Sequence, residues 1–323
     1  MSESKRLAAI DIGTVTTRLL VADVSATGVI EVARSTDITH LGEDLTATGR
    51  LAEGAMQRVA DVIARYATTI ADLDVEAITA LATSASRDAE NGDEFLALLA
   101  RHSIVPEIIP GDREAALSFA GATSDMGVAD DLLVVDLGGG STELIFGAVA
   151  EVGGARVPQI EKARSIDIGS KRVTEMFLRT DPPSAAELAA AREWAAKELR
   201  PYFAGLRDRP RLMVALAGTA TTLSAIRQGL KVYDPALVHC SCLTGSELAD
   251  LTEMLAAMTR DERERVPGLD PGRAPVIVAG ALILETIVAL AGLESTLVSE
   301  HDILYGILLD TYRTLRESGE ARN

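Results

Sequence analysis

The sequence predicts an α/β protein built from two related domains. Its 323 residues exceed the roughly 150 residues of an average domain and leave ample chain for a hydrophobic core. An internal repeat places residues 7–24 over residues 132–149, and apolar strand patterns alternate with helical ones in both halves. The predicted domains are residues 1–125 and residues 126–323, with the last helix able to pack back on the first domain.

Both copies of the repeat have the pattern of a β-hairpin. In each copy an apolar strand leads into a turn rich in glycine and hydroxyl residues, and a second apolar strand follows. The repeat aligns Asp11 with Asp136 and Gly13 with Gly138. Each domain is therefore expected to carry a carboxylate near the tip of a hairpin.

The remaining elements of the first domain are predicted from the spacing of apolar residues and from turn-forming residues. β-rich residues continue to about residue 41, and apolar residues recur at helical spacing over residues 51–70. A buried strand is predicted at residues 75–82, a short helix at 93–101, and another strand at 105–109. A proline and a glycine then turn the chain, and Asp112 is predicted to be the N-cap of a helix that carries Glu114.

The second domain continues with further helices and one clear strand. Ser184 and Glu187 form a capping-box pattern before an apolar-periodic helix. A strand at residues 212–216 enters a glycine-containing turn at 217–222, and helices are predicted near 245–258, 273–293 and 299–315. The charged run at residues 260–265 is interpreted as a solvated face.

Composition excludes several classes of protein. Hydrophobic residues make up 47% and charged residues 24% of the chain, which is ordinary for a globular protein. The net charge of -17 repels nucleic acid and anionic lipid, so neither is an expected partner. Residues 276–293 are apolar for almost a membrane-spanning length, but Glu285 near their centre favours a buried core helix.

Location is predicted from the N-terminus and the cysteines. The first residues contain no apolar run long enough for an export signal. Cys240 and Cys242 are one residue apart, a spacing that fits neither a disulfide framework nor a zinc motif. A cytoplasmic protein with reduced thiols is expected.

Three turns that follow apolar strands are candidates for binding phosphate. Inward-pointing N–H groups of a glycine-rich turn form an anion site, and small residues let phosphate approach the main chain. Because three such turns occur, we expect them to line a shared interdomain cleft. The alternative for any one turn is a tight hairpin in which glycine only supplies a positive φ. The predicted phosphate-binding residues are Gly13 and Thr14 in the first turn, Gly138, Gly139, Gly140 and Ser141 in the second, and Gly218 and Thr219 in the third.

Three carboxylates near these turns are candidate metal ligands. Asp11, Asp136 and Glu143 offer the oxygen atoms that Mg²⁺ takes, with water and phosphate completing the shell. We expect Mg²⁺, or Mn²⁺ in its place. The alternative is that a carboxylate accepts N–H bonds within its own turn. A P-loop and a dinucleotide fingerprint are both absent from the sequence.

These residues carry a resemblance to a known family. The matching motifs are AIDIGT at residues 9–14, ATSA at 82–85 with Arg87, PGDREA at 110–115, DLGGGSTEL at 136–144, DPP at 181–183, AGT at 217–219 and GRA at 272–274. In order and spacing they resemble the exopolyphosphatase/guanosine pentaphosphate phosphatase (Ppx/GppA) family of the actin-like ATPase superfamily. The resemblance implies two actin-like, ribonuclease H-like domains with an interdomain cleft.

The resemblance also implies a reaction and roles for two residues. The family hydrolyses terminal phosphoanhydride bonds with Mg²⁺ and a glutamate that activates water, and Glu114 matches that glutamate. A glutamate in a first helical turn is otherwise explained by the helix dipole alone. Arg87 matches the arginine that would neutralise phosphate charge, with a surface salt bridge as the alternative. Arg172 is a further phosphate-binding candidate, together with Lys171 and Arg273.

Two departures from the family pattern bear on the substrate. Val15 stands where the family usually has a polar Asn or Ser, so one contact of the first phosphate loop is expected to be missing. The resemblance is to the short, two-domain form of the family, for which an extra helical domain with an HD-type metal motif is not expected. A preference for short polyphosphate chains is therefore a hypothesis.

The predicted function is that of an exopolyphosphatase that releases terminal phosphate from inorganic polyphosphate. The alternatives are a guanosine pentaphosphate 5′-phosphohydrolase and a non-catalytic regulator that binds polyphosphate or an alarmone nucleotide. A kinase of the same superfamily would need a nucleotide-base pocket, which the sequence does not indicate. A homodimer is expected from the resemblance.

Overall fold

The structure is a computed structural model that describes residues 4–152 and 155–320. It divides into two compact units, one formed by residues 1–125 with 301–323 and the other by residues 126–300. The last helix, predicted for the second domain with the option of packing back, lies in the first unit.

The first unit contains a five-stranded sheet with helices on it. The elements in chain order are β1 (Lys5–Ile12), β2 (Thr16–Ser25), β3 (Gly28–Ile38), α1 (Leu45–Thr48), α2 (Glu53–Asp72), β4 (Ala77–Ala82), α3 (Ser84–Asp88), α4 (Gly92–Ala100), β5 (Glu107–Ile108) and α5 (Gly111–Ala122). The strand order is β3-β2-β1-β4-β5, with β1 antiparallel to β2 and parallel to β4.

The second unit contains a six-stranded sheet. Its elements are β6 (Ala129–Leu137), β7 (Thr142–Val152), β8 (Ala155–Ile166), α6 (Ser170–Phe177), α7 (Ala185–Ala204), β9 (Leu212–Leu216), α8 (Ala217–Arg227), α9 (Pro235–Val238), β10 (Cys242–Thr244), α10 (Gly245–Ala256), α11 (Arg260–Arg263), a 3₁₀ turn at Pro271–Arg273, α12 (Ile277–Ala291) and β11 (Ser295–Val298). The strand order is β10-β11-β9-β6-β7-β8. The chain then returns to the first unit as α13 (Ile303–Glu320).

The apolar run of β1 is buried on both faces of its sheet. Alternate side chains of a strand point to opposite faces, so Ala8 and Ile10 pack with α2 whereas Leu7 and Ala9 pack with α13. A strand covered on both sides needs a continuous apolar sequence rather than an alternating one. The position of α13 on the sheet therefore explains why residues 7–10 of β1 are apolar without interruption.

The repeat seen in the sequence is a repeat in the structure. In the first hairpin Asp11 lies opposite Arg18, and in the second Asp136 lies opposite Glu143, at equivalent register positions. Each turn is closed by an equivalent hydrogen bond, from the N–H of Gly13 to Thr16 at 2.9 Å and from the N–H of Gly138 to Ser141 at 3.0 Å. Both predicted hairpins are confirmed.

Most helices and strands lie within a few residues of their predicted positions, but two helix starts were predicted wrongly. Pro110, not Asp112, occupies the N-cap of α5, and Asp112 lies in its first turn. Residues 217–222, predicted to be a turn, form the first part of α8, which begins directly after β9. In both cases glycine was interpreted as a loop signal, although a helical first turn tolerates glycine at small cost.

The interpretation of residues 260–265 as a solvated face is wrong for one residue. Arg263 is buried, and its guanidinium pairs with Asp181 at 2.9 Å. The Asp181 carboxylate also accepts the backbone N–H of Arg260. This one carboxylate therefore docks the start of α11, and a charge pattern alone does not reveal a partner that distant in sequence.

The apolar helix α12 is a core helix, as predicted. Glu285, its acidic residue, pairs with Arg192 of α7 at 3.0 Å. Among the helices in residues 4–152 and 155–320, none combines the length and apolar character that crossing a membrane requires. Cys240 and Cys242 are both exposed, and neither forms a disulfide.

The capping box of α7 predicts a pH dependence of stability. Hydrogen bonds from the Thr180 hydroxyl and the Ser184 backbone lower the pKa of Glu187 to about 2. Because the folded pKa lies below the unfolded value near 4.5, the stabilisation is complete above that value and is lost as pH falls toward 2. Glu187→Gln should therefore lower Tm at pH 7 and flatten its fall between pH 5 and 2, as measured by thermal denaturation. Glu193→Gln, on the same helix away from the cap, should retain the wild-type slope, and an unchanged slope in Glu187→Gln would contradict the prediction.

Candidate active site

Several predicted site residues of the first unit gather at one edge of its sheet. Strands β1 and β4 are parallel, and Ile12 pairs with Ala82, so the segments that follow both strands emerge together. The N–H of Thr83 donates to Ile12 and the N–H of Ile109 donates to Ala82, each at 3.1 Å. These bonds bring the first hairpin turn, α3 and the start of α5 to the same carboxyl edge.

Glu114 and Arg87 form an ion pair at this edge. Nη1 of Arg87 lies 3.1 Å from Oε2 of Glu114 and also donates to the carbonyl of Ile109 at 3.0 Å. The side chain of Glu114 is 10% exposed and that of Arg87 25% exposed. A nearly buried carboxylate is thus oriented by a guanidinium that still reaches solvent. The sequence predicted both residues, but not that they pair.

The first hairpin turn is held mainly through its backbone. Thr14 is buried and its carbonyl accepts the N–H of Gly42 at 2.9 Å. Val15 is also buried, and its carbonyl accepts the N–H groups of Thr39 and His40 at 2.9 Å each. The valine that departs from the family pattern therefore packs inside the turn, and the missing phosphate contact stays a prediction.

Asp11 is part of a buried network of three charged residues. Nη2 of Arg18 donates to Oδ2 of Asp11 at 2.6 Å, and Nη1 of Arg18 donates to Asp302 just before α13. Burial raises the pKa of Asp11, and the Arg18 guanidinium opposes that shift. Arg18 thus already partly neutralises the charge of Asp11, which leaves less of it for a metal ion.

The second hairpin turn is held by the first turn of α6. Backbone N–H groups of Ser170 and Lys171 donate to the carbonyls of Gly138 and Gly139 at 3.0 and 2.9 Å. A Cβ on Gly169 would lie 2.3 Å from the carbonyl carbon of Gly139, so only glycine permits this approach. The turn is rigidly supported, as preorganised binding of an anion requires.

Arg172 supports the same turn from its side chain. Its Nε donates to the carbonyl of Gly140 at 2.9 Å. This contact holds the guanidinium beside the turn, but it is a hydrogen bond within the protein and not a contact to phosphate. The phosphate-binding role of Arg172 stays a prediction.

Two carboxylates face each other at the end of this hairpin. Asp136 and Glu143 are a directly opposed pair on β6 and β7, with 7% and 1% exposure. Ser165 on β8 donates its hydroxyl to Oε1 of Glu143 at 2.7 Å. Like charges directly opposite on neighbouring strands repel, and a divalent cation would relieve that repulsion. The donor set therefore fits Mg²⁺ better here than at Asp11, where the opposed residue is an arginine.

The third predicted phosphate-binding segment is a helix start. Gly218 and Thr219 lie in the first turn of α8, where backbone N–H groups have no partner within the helix. The guanidinium of Arg273 lies against this turn, since a Cβ on Gly218 would come within 1.6 Å of Nη1. Thr219 packs on Gly280 of α12. Helix dipole and guanidinium together make this segment attractive to an anion.

In the second unit these segments also share an edge. Strands β6 and β9 are parallel and Asp136 pairs with Leu216, so the second hairpin turn and the start of α8 leave the sheet side by side. Each unit therefore gathers its own predicted residues at a carboxyl edge. The interdomain cleft stays a prediction.

Sequence reasoning missed three residues of these sites. Arg18 could have been found, because the repeat aligns it with Glu143 and so shows a reversal of charge at one register position. Ser165 and Asp302 carry no motif. Their roles depend on strand pairing and helix packing, which the sequence pattern does not specify.

Comparison with known proteins agrees with these motifs. A family model described as the Ppx/GppA phosphatase family matches residues 20–313. Exopolyphosphatase 2 of Mycobacterium tuberculosis is 40% identical, over 94% of this chain and 98% of its own length. Exopolyphosphatase 1 of Mycobacterium bovis is 29% identical, over 94% and 87%.

Solved structures of the same family are similar over almost the full chain. A Ppx/GppA family member from Aquifex aeolicus is 31% identical with a TM-score of 0.78, covering 98% of this chain and 99% of that one. An exopolyphosphatase from Cytophaga hutchinsonii is 25% identical with a TM-score of 0.85, covering 95% and 97%. The fold is the actin-like two-domain fold of these proteins. The family model, the relatives and the paired hairpins together establish that the chain belongs to the Ppx/GppA phosphatase family.

Proposed function

We propose that this protein is an exopolyphosphatase that releases the terminal phosphate of inorganic polyphosphate by attack of water. The observation that supports this most directly is the Glu114–Arg87 pair, which places a proton acceptor 3.1 Å from a cation suited to phosphate. The names of the relatives favour polyphosphate as the substrate.

Glu114 is the general base of the proposed reaction. Water attacks the terminal phosphorus, its proton passes to the Glu114 carboxylate, and the shortened polyphosphate leaves with the electrons of the broken P–O bond. Arg87 has two roles, since it orients the carboxylate and lowers the repulsion between a polyanion and an acidic protein. Electrostatic preorganisation of this kind supplies most of the catalysis of phosphoryl transfer.

The phosphate oxygens are proposed to contact the backbone and hydroxyl groups of the predicted turns. These are Gly13 and Thr14 in the first unit, and Gly138, Gly139, Gly140, Ser141, Gly218 and Thr219 in the second. Arg172 and Arg273 would add positive charge beside the second-unit segments. Such local charge is needed because the protein as a whole carries a net charge of -17.

Asp136 and Glu143 are proposed to hold a divalent cation, Mg²⁺ or Mn²⁺. When bound, that cation supplies positive charge to the phosphate oxygens during transfer. Ser165 keeps Glu143 in place by its 2.7 Å hydrogen bond. Asp11, the third predicted ligand, would contribute less to cation binding, because Arg18 already partly neutralises its charge.

The substrate assignment is tested by measuring phosphate release from polyphosphates of graded length and from guanosine pentaphosphate, with and without Mg²⁺. We expect Mg²⁺-dependent release from polyphosphate, with short chains preferred. Hydrolysis of guanosine pentaphosphate alone would contradict the polyphosphate assignment. Binding of polyphosphate without turnover would instead indicate a regulator. The proposal includes a cytoplasmic homodimer, which sedimentation of the purified protein and localisation of a tagged chain would test.

A further inference from the structure

Helix α5 presents Glu114 on the face that meets the C-terminal helix. Leu117 and Gly121 follow Glu114 by three and seven residues, so all three lie along one face of α5. Because Leu117 lies one turn from Glu114 on this face, a shift of α5 at Leu117 would also move Glu114.

The backbones of α5 and α13 touch on this face. A Cβ on Gly306 would lie 1.9 Å from the carbonyl oxygen of Leu117, and a Cβ on Gly121 would lie 1.8 Å from the carbonyl oxygen of Asp302. These distances are far below van der Waals contact, and the obstructing atoms are backbone atoms that cannot rotate away. The helices are therefore set at a spacing that only glycine at both positions allows.

The start of α13 is also attached to the first hairpin. Asp302 is buried, pairs with Arg18, and through Arg18 is connected to Asp11. Its other carboxylate oxygen accepts the N–H of Leu304 at 2.9 Å, which caps the helix. Leu304 and Leu308 then anchor the first turns of α13 in the core beneath the sheet.

We propose that the start of α13 positions Glu114 relative to the first phosphate hairpin, with Gly306 and Asp302 as the positioning residues. Gly306 sets the distance to α5, and Asp302 joins the same helical turn to the hairpin through Arg18. The inference rests on the proposed role of Glu114 and adds to it the part of the fold that holds the base in place.

The test is a double-mutant cycle between Gly306→Ala and Glu114→Gln with polyphosphate as substrate. In the Glu114 background, Gly306→Ala should lower kcat by about 10–100-fold, the range expected for a misplacement near 1 Å, with KM and the Mg²⁺ requirement little changed. In the Glu114→Gln background the same substitution should have no further effect on kcat, because the base it displaces is already gone. Gly54→Ala on α2, where a Cβ meets only the end of the Arg58 side chain at 3.8 Å, is the matched control.

The cycle separates positioning from loss of folded protein. A merely structural effect would lower kcat by the same factor in both backgrounds, and that result, or an unchanged kcat, would overturn the inference. If Gly306→Ala does not fold, as judged by circular dichroism, Asp302→Asn takes its place in the cycle, since asparagine keeps the cap to Leu304. Asp310→Asn, at a half-buried position further along α13, is then the control. If Glu114→Gln alone turned over at the normal rate, Glu114 would not be the general base and the proposed function would fail. That result is obtained before any α13 variant is compared.

Discussion

Replacing Glu114 by glutamine is expected to lower kcat for polyphosphate by about 10²–10⁴-fold, the contribution of a well-placed general base. Glutamine is nearly the same size and can still accept the Arg87 hydrogen bond with its carbonyl oxygen. The start of α5 and the substrate-binding site should therefore keep their structure. KM should therefore change little. Steady-state phosphate release, with polyphosphate binding measured separately by calorimetry, gives both quantities.

Asp112→Asn is the control for this experiment. Asp112 lies in the same first turn of α5 as Glu114 but is exposed, so its loss removes a similar charge from the same helix end. It should leave kcat within a few-fold of wild type. Equal losses in the two variants would show that charge at the helix start matters and that Glu114 has no special role.

The second large effect is expected in the Mg²⁺ dependence of activity. Asp136→Asn and Glu143→Gln should each raise the Mg²⁺ concentration for half-maximal activity by more than the roughly 10–100-fold that loss of an outer-shell partner costs. Asp11→Asn should have a smaller effect, because Arg18 already neutralises Asp11 in the wild-type protein. Metal titrations of phosphate release, accompanied by direct Mn²⁺ binding, measure the difference.

A charge-matched control is available on the same strand. Asp130 lies exposed near the other end of β6, and Asp130→Asn should leave the Mg²⁺ titration unchanged. If Asp11→Asn shifted the titration as strongly as Asp136→Asn, the cation would be shared equally by the two hairpins. If neither Asp136→Asn nor Glu143→Gln shifted the Mg²⁺ titration, the cation would not be held by the second hairpin.

The difference between the hairpins is informative because their backbones are equivalent. The register is the same, and the same closing hydrogen bond is present, yet one position holds Arg18 and its counterpart holds Glu143. One hairpin therefore opposes a carboxylate with a cation, and the other opposes it with a second carboxylate. We infer that the two hairpins share phosphate binding but differ in their part in cation binding, which falls mainly to the second, where the opposed residue is a carboxylate.

Local sequence patterns predicted the elements that local interactions build. The hairpins follow from glycine-containing turns between apolar strands, and the capping box of α7 from a serine three residues before a glutamate. The two helix starts were predicted wrongly because two local interpretations compete there, whereas the error at Arg263 arose from a partner distant in sequence. At Gly218 a glycine after a strand predicted a turn, whereas the following residues continue as a helix packed on α12 through Thr219 and Gly280.

The sequence by itself determined the two hairpins, the identities of the candidate base and carboxylates, and the family that these motifs indicate. The tertiary structure decided which side chains pair, because Arg87 reaches Glu114 across 27 positions and Arg18 reaches Asp302 across 284. It also decided that α13 lies with the first unit, in backbone contact with α5 at Gly121 and Gly306. A turn is set by hydrogen bonds between residues a few positions apart, whereas these contacts exist only once distant segments have packed into one core.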